Sequence, residues 1–122
     1  VYILKNTREI GEKHEIMAAE YLKEQGYTVL ETNYRVRQAE LDIVAMENNT
    51  LVFAEVKYRK NEALGNPLSA VGYAKQKKIS KAALFYMNQH RLSVYDTSVR
   101  FDVIGILGDN ITHIKNAFDY VD

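Results

Sequence analysis

The sequence predicts a single α/β domain over residues 1–122, a mixed central β-sheet flanked by helices in the order α-β-β-β-α-β-β. Three observations predict it. Two stretches, Glu9–Gln25 and Ser69–Asn88, repeat apolar residues at helical spacing. Runs of β-prone residues surround them, at Tyr27–Asn33, Leu41–Ala45, Leu51–Val56, Ser98–Leu107 and Ile111–Ile114. The second helical stretch also lies between the third and fourth runs. Such a crossover favours parallel pairing there, whereas the short link between the second and third runs requires an antiparallel hairpin.

Taken in order, Val1 to Arg8 is a lead-in with little pattern. In the first helix Ile10, Met17, Ala18, Tyr21 and Leu22 form the apolar stripe, Thr7 is a plausible N-cap and Gly26 the stop. At about 100° per residue the stripe centres near Tyr21, and Glu15 falls roughly 90° away, at its edge. Glu9 and Glu12 point further toward solvent, so Glu15 is the helix acid best placed to look into a groove. The strand from Tyr27 continues, interrupted, through Val36. Leu41–Ala45 and Leu51–Val56 flank Asn48-Asn49, good turn chemistry because Asn tolerates positive φ. Lys60–Leu68, with Gly65 and the one proline, Pro67, is a loop. The second helix turns Val71, Ala74, Ile79, Ala82, Ala83, Tyr86 and Met87 inward. After a turn-rich connection over His90–Thr97, the last two strands are joined by Gly108-Asp109-Asn110.

Composition narrows the function classes. Hydrophobic residues make up 47% and charged residues 26%, ordinary for a globular domain, and formal net charge is +0. Global charge therefore suggests neither a nucleic-acid binder nor a membrane binder. Its distribution is uneven: Arg35, Arg37, Lys57, Arg59 and Lys60 precede a second basic cluster at Lys75, Lys77, Lys78 and Lys81. With 0 cysteines, disulfide scaffolds, thiolate zinc sites and a Cys nucleophile are excluded, which fits a cytoplasmic location. No apolar run approaches the roughly 20 residues of a membrane span, and no signal peptide is visible.

The hairpin carries the chemistry. If Asn48 and Asn49 are its loop, Asp42 lies opposite Glu55 and Glu40 opposite Lys57, all on one face. Opposed carboxylates roughly 5 Å apart at Cβ repel each other, and a bridging hard cation removes that penalty. A Glu-X-Lys on a strand is otherwise commonly a solvated face. Glu40 reads equally as a ligand or as a cross-strand partner of Lys57, and a supporting role beside the ligands suits it best.

Several motifs in this order resemble one known family. They are Gly11 with Glu15, Gly26-Tyr27, Asn33-Tyr34-Arg35, Glu40-Leu41-Asp42 and Val52-Phe53-Ala54-Glu55-Val56-Lys57 followed by Arg59. Further on come Gly65 with Pro67, Lys75-Gln76, Arg100-Phe101-Asp102-Val103, His113-Ile114 and Asn116-Ala117-Phe118. Together they resemble the bacterial YraN-like family within the PD-(D/E)XK nuclease superfamily, related to archaeal Holliday junction resolvases. The chain departs from that pattern at His14 and Ala39, where the family usually has glycine; neither position touches the expected ligands. The resemblance implies a restriction-endonuclease-like fold and hydrolysis of DNA phosphodiesters, at branched or distorted DNA by family analogy, dependent on Mg²⁺ or Mn²⁺. It implies metal ligation by Asp42, Glu55, the Val56 carbonyl and Glu15, with Lys57 orienting or deprotonating the attacking water. A resolvase acts through two sites, so a homodimer is expected.

Beside these, Gln76 is a substrate-positioning candidate, and Arg59, Lys60, Lys75 and Lys78 are candidates for phosphate contacts. Arg100-Phe101-Asp102 reads best as a partly buried ion pair at a strand start. His14, His90 and His113 lack metal-ligand spacing and read as surface or capping residues. Two further function classes stay open: a nucleic-acid-binding module of the same fold without cleavage, which would tolerate chelation, and a protein-interaction module, which would show no salt-dependent DNA affinity.

Overall fold

The computed structural model describes residues 2–67 and 71–122. The predicted beginning of the second helix at Ser69 and end of the loop at Leu68 lie outside the described residues, as do Val1 and the side chains of residues 2–10, Ile10 of the predicted stripe among them. The element order is α1 (Tyr2–Glu24), β1 (Thr28–Val36), β2 (Ala39–Glu47), β3 (Thr50–Arg59), a 3₁₀ turn (Glu62–Leu64), α2 (Tyr73–Gln89), β4 (Ser98–Leu107) and β5 (Asn110–Phe118). The five strands form one mixed sheet in sequence order, β1-β2-β3-β4-β5. Among the described residues only β3 and β4 run parallel, from Thr50↔Ser98 to Arg59↔Leu107, with α2 as their crossover.

Period-2 alternation in β3 and β4 makes two cores. Leu51, Phe53, Phe101 and Val103 face α2 and meet Ile79, Ala82, Ala83, Tyr86 and Met87. Val52, Ala54, Ile104 and Ile106 face α1 and meet Ala18, Ala19 and Leu22. A strand covered on both faces must be apolar at every position, which is why Leu51-Val52-Phe53-Ala54 reads as an unbroken apolar run. Each such large side chain contributes about 1.5–3 kcal/mol by its burial.

Several expectations are corrected. α1 begins at Tyr2, with Thr7 inside it rather than at its cap: Leu4, Lys5, Arg8 and Glu9 are good helix formers and need no apolar stripe to continue a helix. Val71 is buried as expected but precedes α2, and Ala74 is exposed in its first turn. β5 runs to Phe118 rather than Ile114; its polar residues alternate on an edge strand where a core run is not required.

The Arg100-Phe101-Asp102 segment is the ion pair expected, in a larger assembly than expected. The Asp102 carboxylate is wholly buried and accepts from Arg100 Nε at 2.8 Å, Arg100 Nη2 at 2.9 Å and the Asn116 N–H at 3.0 Å. His113 Nε2 lies 2.7 Å from it. Arg100 also donates to Glu47 and to the Tyr27 hydroxyl, each at 2.8 Å. His113 is therefore an interior residue, not a surface one. His14 is buried as well, its ring stacked on Tyr58 with centroids 3.5 Å apart. His90 is exposed at the end of α2, where its ring lies 4.1 Å from that of Tyr86.

Candidate metal centre

The hairpin register follows from its turn. Asn48 takes φ 54°, Glu47 pairs with Thr50, and the ladder proceeds to Ile43↔Ala54. One more step would oppose Asp42 and Glu55, but among the described residues the ladder stops there. Below Ile43, β2 stays with β1 through Leu41, Glu40 and Ala39, while β3 stays with β4 through Arg59. The strands diverge and leave a notch. Asp42 Oδ2 accepts the Val56 N–H at 2.8 Å, so its side chain replaces the hydrogen bond that the ladder no longer makes.

The pleat of β2 changes phase at the same residue. Leu41 packs in the α2-side core and Ile43 in the α1-side core, although residues two apart ordinarily share a face. Asn33 on β1 lies between the pairs Thr32↔Ile43 and Tyr34↔Leu41, and its φ is 54°. The expectation of four charges projecting from one regular face is thus corrected: the acids meet in a notch reached from both sides of the sheet.

Glu15, Glu40 and Asp42 each place one carboxylate oxygen within 4.8 Å of the others. Glu15 comes from α1, at the stripe's edge as its helical phase predicts. From β3, Glu55 hydrogen-bonds with Asp42 and forms an ion pair with Lys75 Nζ at 3.5 Å. Lys57, two residues on, is close enough for its charge to favour the ionised Glu55. The expected Glu40–Lys57 pairing is absent from the β2–β3 ladder of the described residues: Glu40 is the ladder partner of Arg35, whose Nε lies 3.6 Å from it. Glu40 thus belongs to the same carboxylate cluster as Glu15 and Asp42.

Electrostatics mark the notch as short of positive charge. Burial, then repulsion by Glu55, pushes the Asp42 carboxyl up to about 7. Burial raises Glu55 as well, against the opposing pull of Lys75. Glu15 is raised by burial and by Asp42 and Glu40, with a hydrogen bond to Asn33 working the other way. A set of hard oxygen donors that resists losing its protons suits a small divalent cation such as Mg²⁺ or Mn²⁺, which relieves both burial and repulsion.

The other candidates surround the notch unequally. Lys75 and Lys78 line a groove of about 320 Å³ with Arg35, Gln38 and Glu40. Gln76 is turned to its own helix start and donates to the Val71 carbonyl at 2.7 Å. Arg59 donates through Nη1 to the Tyr58 carbonyl, and its buried Nε has no partner among the described residues. Lys60 is exposed just past β3. Sequence reasoning missed the parts played by Asn33 and Arg35; the signal was their presence, side by side with Tyr34, among the motifs already recognised.

Known proteins resemble this chain over nearly its whole length. The UPF0102 protein of Lachnoclostridium phytofermentans is 48% identical over 114 residues, which span 93% of this chain and 96% of its own. Those of Syntrophus aciditrophicus and Colwellia psychrerythraea are 43% and 38% identical, covering 98% and 93% of this chain and 95% and 93% of theirs. The sequence model of uncharacterised protein family UPF0102 matches residues 14–106, a span that takes in Glu15, Glu40, Asp42 and Glu55 of the notch. On both grounds, the chain belongs to family UPF0102, the YraN-like family whose motifs it carries.

Proposed function

We propose that this protein is a metal-dependent endonuclease that hydrolyses DNA phosphodiesters, with branched or distorted DNA as its substrate class. The observation that carries the proposal is the convergence of Glu15, Glu40, Asp42 and Glu55 in the β2–β3 notch, with Lys57 and Lys75 beside them. The motif order shared with PD-(D/E)XK nucleases supports it, and branched DNA rests on that analogy alone.

Asp42, Glu55, Glu15 and the Val56 carbonyl would hold the Mg²⁺ or Mn²⁺, with Glu40 completing or steadying the set. When bound, the ion supplies a more acidic water and charge stabilisation at the phosphate. Lys57 orients the attacking water or steadies charge on the phosphoryl oxygens. Lys75 and Lys78, with Arg35, receive backbone phosphates along their groove. Asp42, anchored by the Val56 N–H, fixes the carboxylates relative to β3.

A second reading, a nucleic-acid-binding module without cleavage, is favoured by one contact. Lys75 already pairs with Glu55, so the site has an internal source of positive charge. A cleavage panel of single-stranded, duplex, flapped and four-way-junction DNA separates the two readings. It is run with Mg²⁺, Mn²⁺ or chelator on wild type, Asp42→Ala and Lys57→Ala. We expect metal-dependent cutting that falls roughly 10²–10⁴-fold in each variant, the range for loss of a positioned catalytic group. Binding that survives chelation, without cutting of any panel member, supports the module instead.

A further inference from the structure

Asn33 sits inside a strand with left-handed backbone, φ 54°, between Thr32↔Ile43 and Tyr34↔Leu41. Asn is among the few non-glycine residues that adopt this conformation readily. It does so beside Asp42, where the pleat of β2 changes phase. Its side chain also lines, with Glu15, Ile16, Ala19 and Thr32, a cleft of about 360 Å³ between α1 and β1. The other acids of the notch come from strands tied to one another in the sheet. Glu15 alone arrives on a helix, and it is only partly buried there.

We propose that Asn33 is a positioning residue for the metal centre: its backbone sets the break in the strand beside Asp42, and its side-chain amide holds the Glu15 carboxylate at the mouth of the notch. The inference rests on the reading of the notch as a divalent-metal site. The Asn33 and Glu15 side chains are hydrogen-bonded where both residues line the same cleft, so the amide orients this carboxylate as an outer partner orients a metal ligand. Glu15 is thereby fixed from two directions, by α1 and by β1.

Two substitutions separate the two parts of the role. Asn33→Gly keeps the permissive backbone and removes the amide; Asn33→Ala removes the amide and strains the left-handed position. Mn²⁺ binding to the metal-free protein is measured by calorimetry, with thermal unfolding in parallel and Asp42→Ala as the reference. Both Asn33 variants are expected to bind Mn²⁺ roughly 10- to 100-fold more weakly, the usual effect of removing a ligand's supporting partner. Only Asn33→Ala is expected to lose appreciable thermal stability. Folded Asn33→Gly that binds Mn²⁺ like wild type, while Asp42→Ala does not, overturns the role of Asn33 and leaves the metal centre standing. Wild type and Asp42→Ala that both fail to bind Mn²⁺ overturn the metal centre and the role of Asn33 with it.

Discussion

Asp42 concentrates the physical conflict of this fold in one side chain. It is held by the Val56 N–H, which favours its ionised form, yet burial and Glu55 push its carboxyl from the ordinary 3.8 up to about 7. Between those values the folded protein binds a proton that the unfolded chain has released, so stability falls as pH rises from about 4 to about 7. Metal-free protein should therefore melt at lower temperature at pH 8 than at pH 5. Asp42→Asn, which can still accept from Val56, should flatten that slope. A divalent ion should act in the opposite sense, raising the melting temperature more at pH 8. Saturation at about 100 times the dissociation constant corresponds to about 2.7 kcal/mol. Thermal scans of both proteins at the two pH values, with and without Mn²⁺, check the sign. A slope unchanged in Asp42→Asn would assign the conflict to another group.

Between elements, the sheet is fastened by a network centred on β4 and β5. Arg100, Asp102 and His113 tie β4 to β5, and Arg100 reaches Glu47 at the hairpin turn and Tyr27 ahead of β1. Burial alone would raise the Asp102 carboxyl, but donors from His113, Arg100 and the Asn116 N–H outweigh it and hold the carboxyl down at about 2. The stabilisation is complete above the unfolded value near 4 and is lost as pH falls toward 2. Asp102→Ala strands Arg100 without its central partner and should cost about 3–5 kcal/mol, read as a shift in the urea midpoint. Tyr95→Ala, at a side chain 94% exposed, should change stability by less than about 0.5 kcal/mol. Equal midpoints for the two variants would show that this network does not fasten the strands. Much of the architecture was legible because it is written in local rules. The Asn48-Asn49 turn fixed the hairpin register, and the helix between β3 and β4 fixed their parallel pairing. Helical phase placed Glu15 at the edge of its stripe, facing a groove, and the family resemblance implied that it joins Asp42. What escaped depends on contacts remote in sequence. The β2–β3 ladder ends at Ile43↔Ala54, short of the acids, and the burial of His113 depends on Asp102 and Tyr21. No periodicity reports either.

At the scale of the whole molecule, a net charge of +0 means that any affinity for a polyanion must come from where the cations sit, not from how many there are. The notch brings acids together, and acids repel phosphate. Opposing them is the groove with Arg35, Lys75 and Lys78, two of which are already engaged with Glu40 and Glu55. A divalent ion in the notch would take over those carboxylates and leave both cations to the nucleic acid. DNA affinity should therefore rise with added Ca²⁺, an ion that occupies oxygen sites and ordinarily does not support cleavage by the Mg²⁺ route. If the three cations meet three phosphates of duplex DNA, the logarithm of the association constant should fall with the logarithm of salt at a slope of about −3. Lys75→Ala and Lys78→Ala should each bring that slope about one unit closer to zero, with similar losses on every DNA sequence. Fluorescence anisotropy across a salt series measures both. A slope near zero in wild type, with Ca²⁺ present, would mean that the groove releases no counterions and that the charged notch serves a protein partner instead.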